Sequence, residues 1–297
     1  MPLKYAQIET DHNMRFSLIM ATRGRVEEVG RFLQALSGQD HQAIELIVVD
    51  QNADDRLVEL IDAYRQHIPI KHIRRAKPGV SRSRNEGRSH INGDIVGFPD
   101  DDCVYPPGFL GKVADFFQSE KWDGLSVRIL DLDRDEDAFG FSEPSSGPID
   151  YSNAWGVGIT PALFFRRTVA ERVAFDEAIG PGSGQKWGGG EDTDYLLSCL
   201  DSGASHYYAH DLFVRHPAPD RIYSVVQLMR REYTYGRGFA FLMVKRAIPW
   251  PLARMQLLLP FTLVVKNLLA GNLRKAAVFT AMGLGRAVGY WKSVSHK

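Results

Sequence analysis

Asp100-Asp101-Asp102 set three carboxylates side by side. Like charges this close repel, so such a cluster is costly unless a cation is shared among them, and hard oxygen ligands suit Mg2+ or Mn2+. An ion of that kind suits a diphosphate, whose oxygens complete the coordination and whose departure the ion stabilises. The competing reading is a solvated acidic turn. Against it, the cluster follows the apolar run Ile95-Val96-Gly97-Phe98 and precedes Val104-Tyr105-Pro106-Pro107, which leaves it in a short loop at the end of a buried strand. No Gly-x-x-x-x-Gly-Lys-Ser/Thr run occurs and no Gly-x-Gly-x-x-Gly follows the first apolar run, so P-loop and dinucleotide-binding classes lose weight.

The elements around the cluster alternate in type. Phe16-Ser17-Leu18-Ile19-Met20 reads as a strand, and Val26, Val29, Phe32, Leu33 and Leu36 follow at helical spacing. Glu45-Leu46-Ile47-Val48-Val49 is a second strand, with Leu57, Leu60, Ile61 and Tyr64 on the next helix face. A weaker extended run at 70–73, a polar helix at 81–90 and the strand at 95–98 complete the first hundred residues. Strands separated by helices predict an α/β fold with a mostly parallel sheet, whose ligands bind beyond the carboxyl ends of the strands. The segments there are Ala21-Thr22-Arg23-Gly24-Arg25, Asp50-Gln51-Asn52 and Pro99-Asp100-Asp101-Asp102. Further on, 124–131 could be a strand, 131–148 is acidic and turn-rich, and 156–165 is apolar enough to return to the core. The glycine-rich run 180–190 must be a loop that delivers Glu191-Asp192 to a helix at 194–200.

At these motifs the chain resembles the inverting glycosyltransferases of the GT-A fold, in family 2. The resemblance is carried by Ser17 to Arg25, by Glu45 to Ala53, by Gly79-Val80-Ser81-Arg82-Ser83-Arg84-Asn85-Glu86-Gly87, and by Gly93 to Asp102. Phe175-Asp176-Glu177 with Gly190-Glu191-Asp192-Thr193-Asp194 completes it, in the family's order. It implies a GT-A domain over 1–220, with a nucleotide-sugar half at about 14–120 and an acceptor half at about 121–220, followed by a basic helical region at 221–297. It further implies that Thr22, Arg23, Asp50, Arg84, Asp100 and Asp101 bind the nucleotide sugar, and that Asp102 and His216 hold Mn2+ or Mg2+, with His210 the weaker competitor. Asp192 is the base implied for the acceptor hydroxyl, with Glu191 and Trp187 on the acceptor side. A helix N-cap is the structural alternative for one of Glu191, Asp192 and Asp194, and a strand-end turn former is the alternative for Asp50. The glycine-rich loop could close over the donor. A sugar-1-phosphate nucleotidyltransferase and a degenerate membrane scaffold are the rival readings.

Charge divides the chain. Residues 215–297 hold 14 Lys or Arg against two acids, leaving 22 bases and 34 acids for 1–214. A tail this basic, rich also in Trp, Leu, Phe and Val, predicts contact with an anionic membrane surface near a lipid-linked or glycan acceptor; exposed aromatic platforms that would suit nucleic acid are lacking. Its longest charge-free stretch, 255–265, is 11 residues and contains Pro260, short of a bilayer span. Helices packed on the catalytic domain are the alternative. Two cysteines and a polar start without an apolar signal core predict a cytoplasmic protein, peripheral on the inner face of the membrane.

Overall fold

The computed structural model describes residues 14–139, 142–184 and 186–295. The polar start read above for a signal peptide and Gln185 of the glycine-rich loop lie outside the described residues, as do residues 140 and 141 of the acidic segment. The chain runs β1 (Phe16–Thr22), α1 (Glu27–Ser37), β2 (Ile44–Asp50), α2 (Val58–Tyr64), β3 (Ile70–Arg74), α3 (Val80–Arg88), β4 (Ile95–Gly97) and α4 (Phe109–Ser119). Then follow β5 (Gly124–Asp131), β6 (Gly147–Ile149), α5 (Ala154–Val157), β7 (Leu163–Arg166), α6 (Arg167–Arg172), α7 (Glu191–Asp201) and β8 (His206–His216). The helices α8 (Pro219–Ile222), α9 (Val225–Lys245), α10 (Trp250–Leu269) and α11 (Leu273–Val294) end the described chain.

The strands form one sheet in the order β3-β2-β1-β4-β7-β5-β8-β6. The half made of β3, β2, β1 and β4 is parallel, as the alternation of strands and helices predicts. The other half is mixed, because β7 runs antiparallel to both β4 and β5, and β6 antiparallel to β8. Since β5 and β8 are parallel to each other, the carboxyl ends of β1, β2, β4, β5 and β8 share one rim.

Side chains alternate across a strand. Phe16, Leu18 and Met20 therefore meet α1 and α4 through Val29, Phe32, Leu33, Leu110 and Val113. Ile19, Ile47, Val49, Val96 and Phe98 point the other way, onto Phe175 and onto Tyr195 and Leu196 of α7. On that second face Gly87 lets α3 lie directly on β1, since a Cβ there would stand 2.3 Å from Ile19.

Packing splits the tail. Helix α9 lies against the glycine-rich loop and against α11, with backbone meeting backbone: a Cβ on Gly238 would lie 2.0 Å from the Gly189 carbonyl, and one on Gly285 would lie 2.2 Å from the Tyr233 carbonyl. Pro260 does not end α10, which runs for 20 residues around it. Proline has no N–H to give to the carbonyl four residues back. That carbonyl, Gln256 O, instead accepts from the buried Arg286 of α11, whose guanidinium also sits 4.3 Å from the Phe239 ring centroid of α9. One side chain thus ties three helices together.

Candidate active site

The rim gathers most of the residues singled out in the sequence. Asp100, Asp102 and His216 approach from the ends of β4 and β8, with one ligand atom of each within 4.8 Å of the others. His216 Nε2 lies 3.1 Å from Asp102 Oδ1 and 3.8 Å from Asp100 Oδ2. His216 Nδ1 donates to the Pro217 carbonyl at 2.8 Å, which turns Nε2 toward the carboxylates. Burial alone would lower the histidine's pKa, but the two aspartates outweigh it and hold it above the usual range. Asp102 is held below the usual carboxylate range: its burial pushes up, and His216 and Arg25 pull it down further. Its Oδ1 is buried and receives no hydrogen bond of acceptable geometry. A buried carboxylate oxygen whose one close polar neighbour is an imidazole nitrogen at 3.1 Å, beside a second carboxylate, fits a divalent cation, which would displace the histidine proton.

Arg84 is the centre of the site's second cluster. This buried guanidinium donates Nη2 to Asp100 Oδ1 at 3.0 Å and Nη1 to Asp192 Oδ1 at 2.9 Å, and lies 5.4 Å from the Phe175 ring centroid. Thr160 Oγ1 donates to the same Asp192 oxygen at 2.9 Å. Burial pushes Asp100 up to about 6 against the pull of Arg84 and His216, although 32% of its side chain stays open at the mouth of the site. Glu191, buried beside Asp192, is also raised, first by desolvation and then by its neighbour's charge. None of the three acids at the start of α7 caps it with its side chain: Gly190, at φ 95°, occupies the N-cap and the helix begins at Glu191. Asp194 is instead bound by Lys245 Nζ at 2.8 Å and Arg246 Nε at 2.7 Å, from the end of α9.

The turn after β1 carries two arginines in different settings. Arg23 is exposed, whereas Arg25 reaches both Asp101 Oδ1 at 2.5 Å and Asp102 Oδ2 at 2.6 Å. Thr22 Oγ1 donates to Asp101 Oδ2 at 2.7 Å, so both oxygens of Asp101 are engaged by the turn. Asp50 is fully buried, accepting from Asn52 N and Nδ2, each at 2.8 Å, and from His72 Nε2 at 3.0 Å. Gln51 and Asn52 brace the loops, their side-chain oxygens accepting from Gly79 N and Gly24 N at 2.7 Å each.

Trp187 stacks on Phe241 of α9, with centroids 4.5 Å apart and planes 8° off parallel. The glycine-rich loop is therefore docked on α9 in this state, with Gly189 against the Tyr235 ring. His210, the weaker histidine candidate, bonds the Glu143 carbonyl through Nδ1. Sequence reasoning missed Arg25, Thr160 and His72. Arg25 had a signal in its spacing from Thr22, while Thr160 lies in an irregular stretch where spacing carries none.

The model named "Glycosyl transferase family 2" matches residues 17–166, half of the chain. The chain belongs to that family. This transferase is 27% identical over 172 residues to an uncharacterized glycosyltransferase of Nostoc, covering 54% of this chain and 53% of that protein. It is 32% identical over 133 residues to the beta-monoglucosyldiacylglycerol synthase of Synechocystis, covering 43% of this chain and 28% of that one. The chain thus spans about half or less of those relatives' own lengths. Among solved structures, a mannosyltransferase from Pyrobaculum calidifontis in complex with GDP-Man and Mn2+ superposes with a TM-score of 0.63 at 17% identity. The match covers 98% of this chain and 90% of that one, and shows that the two share the GT-A fold. Family membership favours the glycosyltransferase reading over the nucleotidyltransferase one.

Proposed function

We propose that this glycosyltransferase moves a sugar, with inversion, from a UDP- or dTDP-type nucleotide sugar to a hydroxyl of a lipid-linked or polysaccharide acceptor in cell-surface glycan synthesis. The observation that carries the reading is the buried Arg84, which ties Asp100 on the donor side to Asp192 on the acceptor side.

Asp100, Asp102 and His216 would hold Mn2+ or Mg2+, which when bound neutralises charge on the leaving diphosphate. Asp50, fixed through Oδ1 by Asn52 and through Oδ2 by His72, keeps a second lone pair on Oδ2 to accept from the N–H of a pyrimidine base. Thr22 and Arg25 fix Asp101, and Arg23, exposed on the same turn, would contact the nucleotide. Inversion needs a base on the face opposite the leaving group. Both hydrogen bonds to Asp192 fall on Oδ1, so Oδ2 takes the acceptor proton. Arg84 fixes the direction of the Asp192 carboxylate, and Glu191 and Trp187 shape the acceptor side. The basic tail supports a peripheral place on the cytoplasmic face of an anionic membrane, and the Synechocystis relative, named for a diacylglycerol lipid, points the same way.

The test is thermal unfolding with UDP, dTDP and GDP, each with and without Mn2+. A ligand that binds only the folded chain raises Tm by mass action. A Tm rise with UDP or dTDP that requires Mn2+ supports the reading; no rise with any nucleoside diphosphate sinks it.

A further inference from the structure

The outward face of α10 has no partner among the described residues. Met255, Leu258, Val265 and Leu268 are each more than half exposed, Phe261 is 39% exposed and Leu269 86%. Their three- and four-residue spacing sets them on one stripe, while Ala253, Gln256 and Pro260 are buried on the side that meets α11. Trp250 lies 6.1 Å from Tyr290, beside the exposed Trp291, so one end of this helical hairpin carries two open indoles of the kind that settle at headgroup depth.

We propose that this stripe is a docking surface for an anionic lipid bilayer, and that it lays α10 in the plane of the membrane. The inference names the partner behind the lipid-linked acceptor of the proposed function, and to that extent rests on that reading. Charge selects the occupant. After Glu232 the sequence has no acidic residue, while Arg254, Lys266, Arg274, Lys275 and Lys292 are exposed on α10 and α11. Anionic headgroups complement these bases. A second copy of the chain docking stripe to stripe would set base against base with no acid nearby to pair them.

Length selects the orientation. By length and composition alone, α10 is the one helix among the described residues that could cross a membrane. Between the exposed Arg254 and Lys266, however, it offers only about 16 Å of uncharged helix at 1.5 Å per residue, against about 30 Å of hydrocarbon. Its opposite side is also committed, since the Gln256 carbonyl needs Arg286. A helix that is apolar on one side and bound to protein on the other lies in the interface. The bundle is continuous with the site, because Gly238 of α9 meets Gly189, two residues before Glu191. A membrane-docked bundle thereby holds the start of α7 close to the surface from which a lipid-linked acceptor would arrive.

The test is co-flotation of the full chain with vesicles of phosphatidylcholine alone or mixed with phosphatidylglycerol, beside the double variant Leu258→Glu, Val265→Glu. Both positions are exposed, so the variant should keep its Tm. Wild type should float with the anionic vesicles, and the variant's partitioning should fall about tenfold or more, since two apolar side chains no longer leave water. The Tm rise with nucleoside diphosphate and Mn2+ should be the same in both. A wild-type chain that stays at the bottom of the gradient yet keeps its nucleotide response overturns the docking surface and leaves the transfer reading standing. A dimer that the double variant breaks, without flotation, assigns the stripe to self-association and overturns the proposal too. Flotation that survives an alkaline carbonate wash overturns the in-plane orientation.

Discussion

At the rim of the sheet, charges meet charges: Arg25 contacts Asp101 and Asp102, Arg84 joins Asp100 to Asp192, and His216 faces Asp102. In the bundle of α9, α10 and α11, backbone meets backbone at glycines, and the buried Arg286 binds a carbonyl and a ring instead of an acid. The first region keeps polar groups whose mutual arrangement is costly without a ligand. The second has removed side chains so that helices can approach. Substitutions at the rim should therefore change chemistry more than stability, and substitutions in the bundle the reverse.

The largest departure is expected from Asp102→Asn. The variant loses the buried anionic oxygen that fits a cation, and turnover should fall about 10³-fold, as expected when several kcal/mol of charge stabilisation disappear. Its Tm in metal-free buffer should fall only modestly: asparagine keeps the shape, while the pairing with Arg25 and His216 that holds the carboxylate below its usual range is lost. A large fall in Tm with unchanged kcat would reverse the comparison. Asp192→Asn comes next, with a loss of about 10²–10⁴ in kcat if it is the base. Glu191→Gln should cost about tenfold or less, since such a buried, raised carboxyl already spends much of its time neutral and an amide can replace it. A larger loss at Glu191 than at Asp192 would move the base by one residue.

In the bundle, Gly238→Ala should cost about 3 kcal/mol of stability, because its Cβ would meet the Gly189 carbonyl and backbone cannot step aside as a flexible side chain does. Arg286→Met should cost somewhat less, about 1–3 kcal/mol, the usual penalty for stranding a buried acceptor, here Gln256 O. Both are read by thermal or urea unfolding. Turnover well below each variant's Tm should stay within a few-fold of wild type. If Gly238→Ala abolishes turnover while Tm holds, the contact between α9 and the glycine-rich loop belongs to the chemistry.

The same contrast explains what the sequence could reveal. Strands β1, β2 and β4 follow from alternation of apolar runs with helical patterns, and the functional groups just past them are adjacent in sequence, so the aspartate cluster was legible. The inward reach of Arg25 was not legible, because only the backbone of the turn decides which of its two arginines meets the aspartates. The start of α7 was placed three residues late because a left-handed Gly190 supplies the cap that an acid was expected to give. Pro260 concealed the length of α10, since the arginine that satisfies the freed carbonyl lies 26 residues further along. The antiparallel β7 follows an irregular stretch, and its direction depends on long-range pairing that no local period encodes.

The smallest effect tests whether a rim acid can be purely structural. Asp131 ends β5 opposite His216 at the end of β8, and its buried carboxylate accepts from Ala218 N at 3.0 Å, from Asp133 N and Arg134 Nε at 3.2 Å each, and from Arg221 Nη1 at 3.2 Å. Burial alone would raise its pKa, but these donors outweigh it and hold it at about 2. A carboxyl whose folded value lies below its unfolded one contributes stability that is complete above the unfolded value and fades as pH falls through the folded one. The stability difference between wild type and Asp131→Asn should therefore be full near pH 6 and shrink between about pH 4 and pH 2. A difference that stays constant across that window would show that the ionised form is not what holds the segment. Because Ala218 follows His216 by two residues, the variant should also weaken Mn2+-dependent stabilisation by nucleoside diphosphate slightly, and by far less than Asp102→Asn does. Equal losses in the two variants would make Asp131 part of the cation site and would move the boundary between chemistry and scaffold one strand further along the rim.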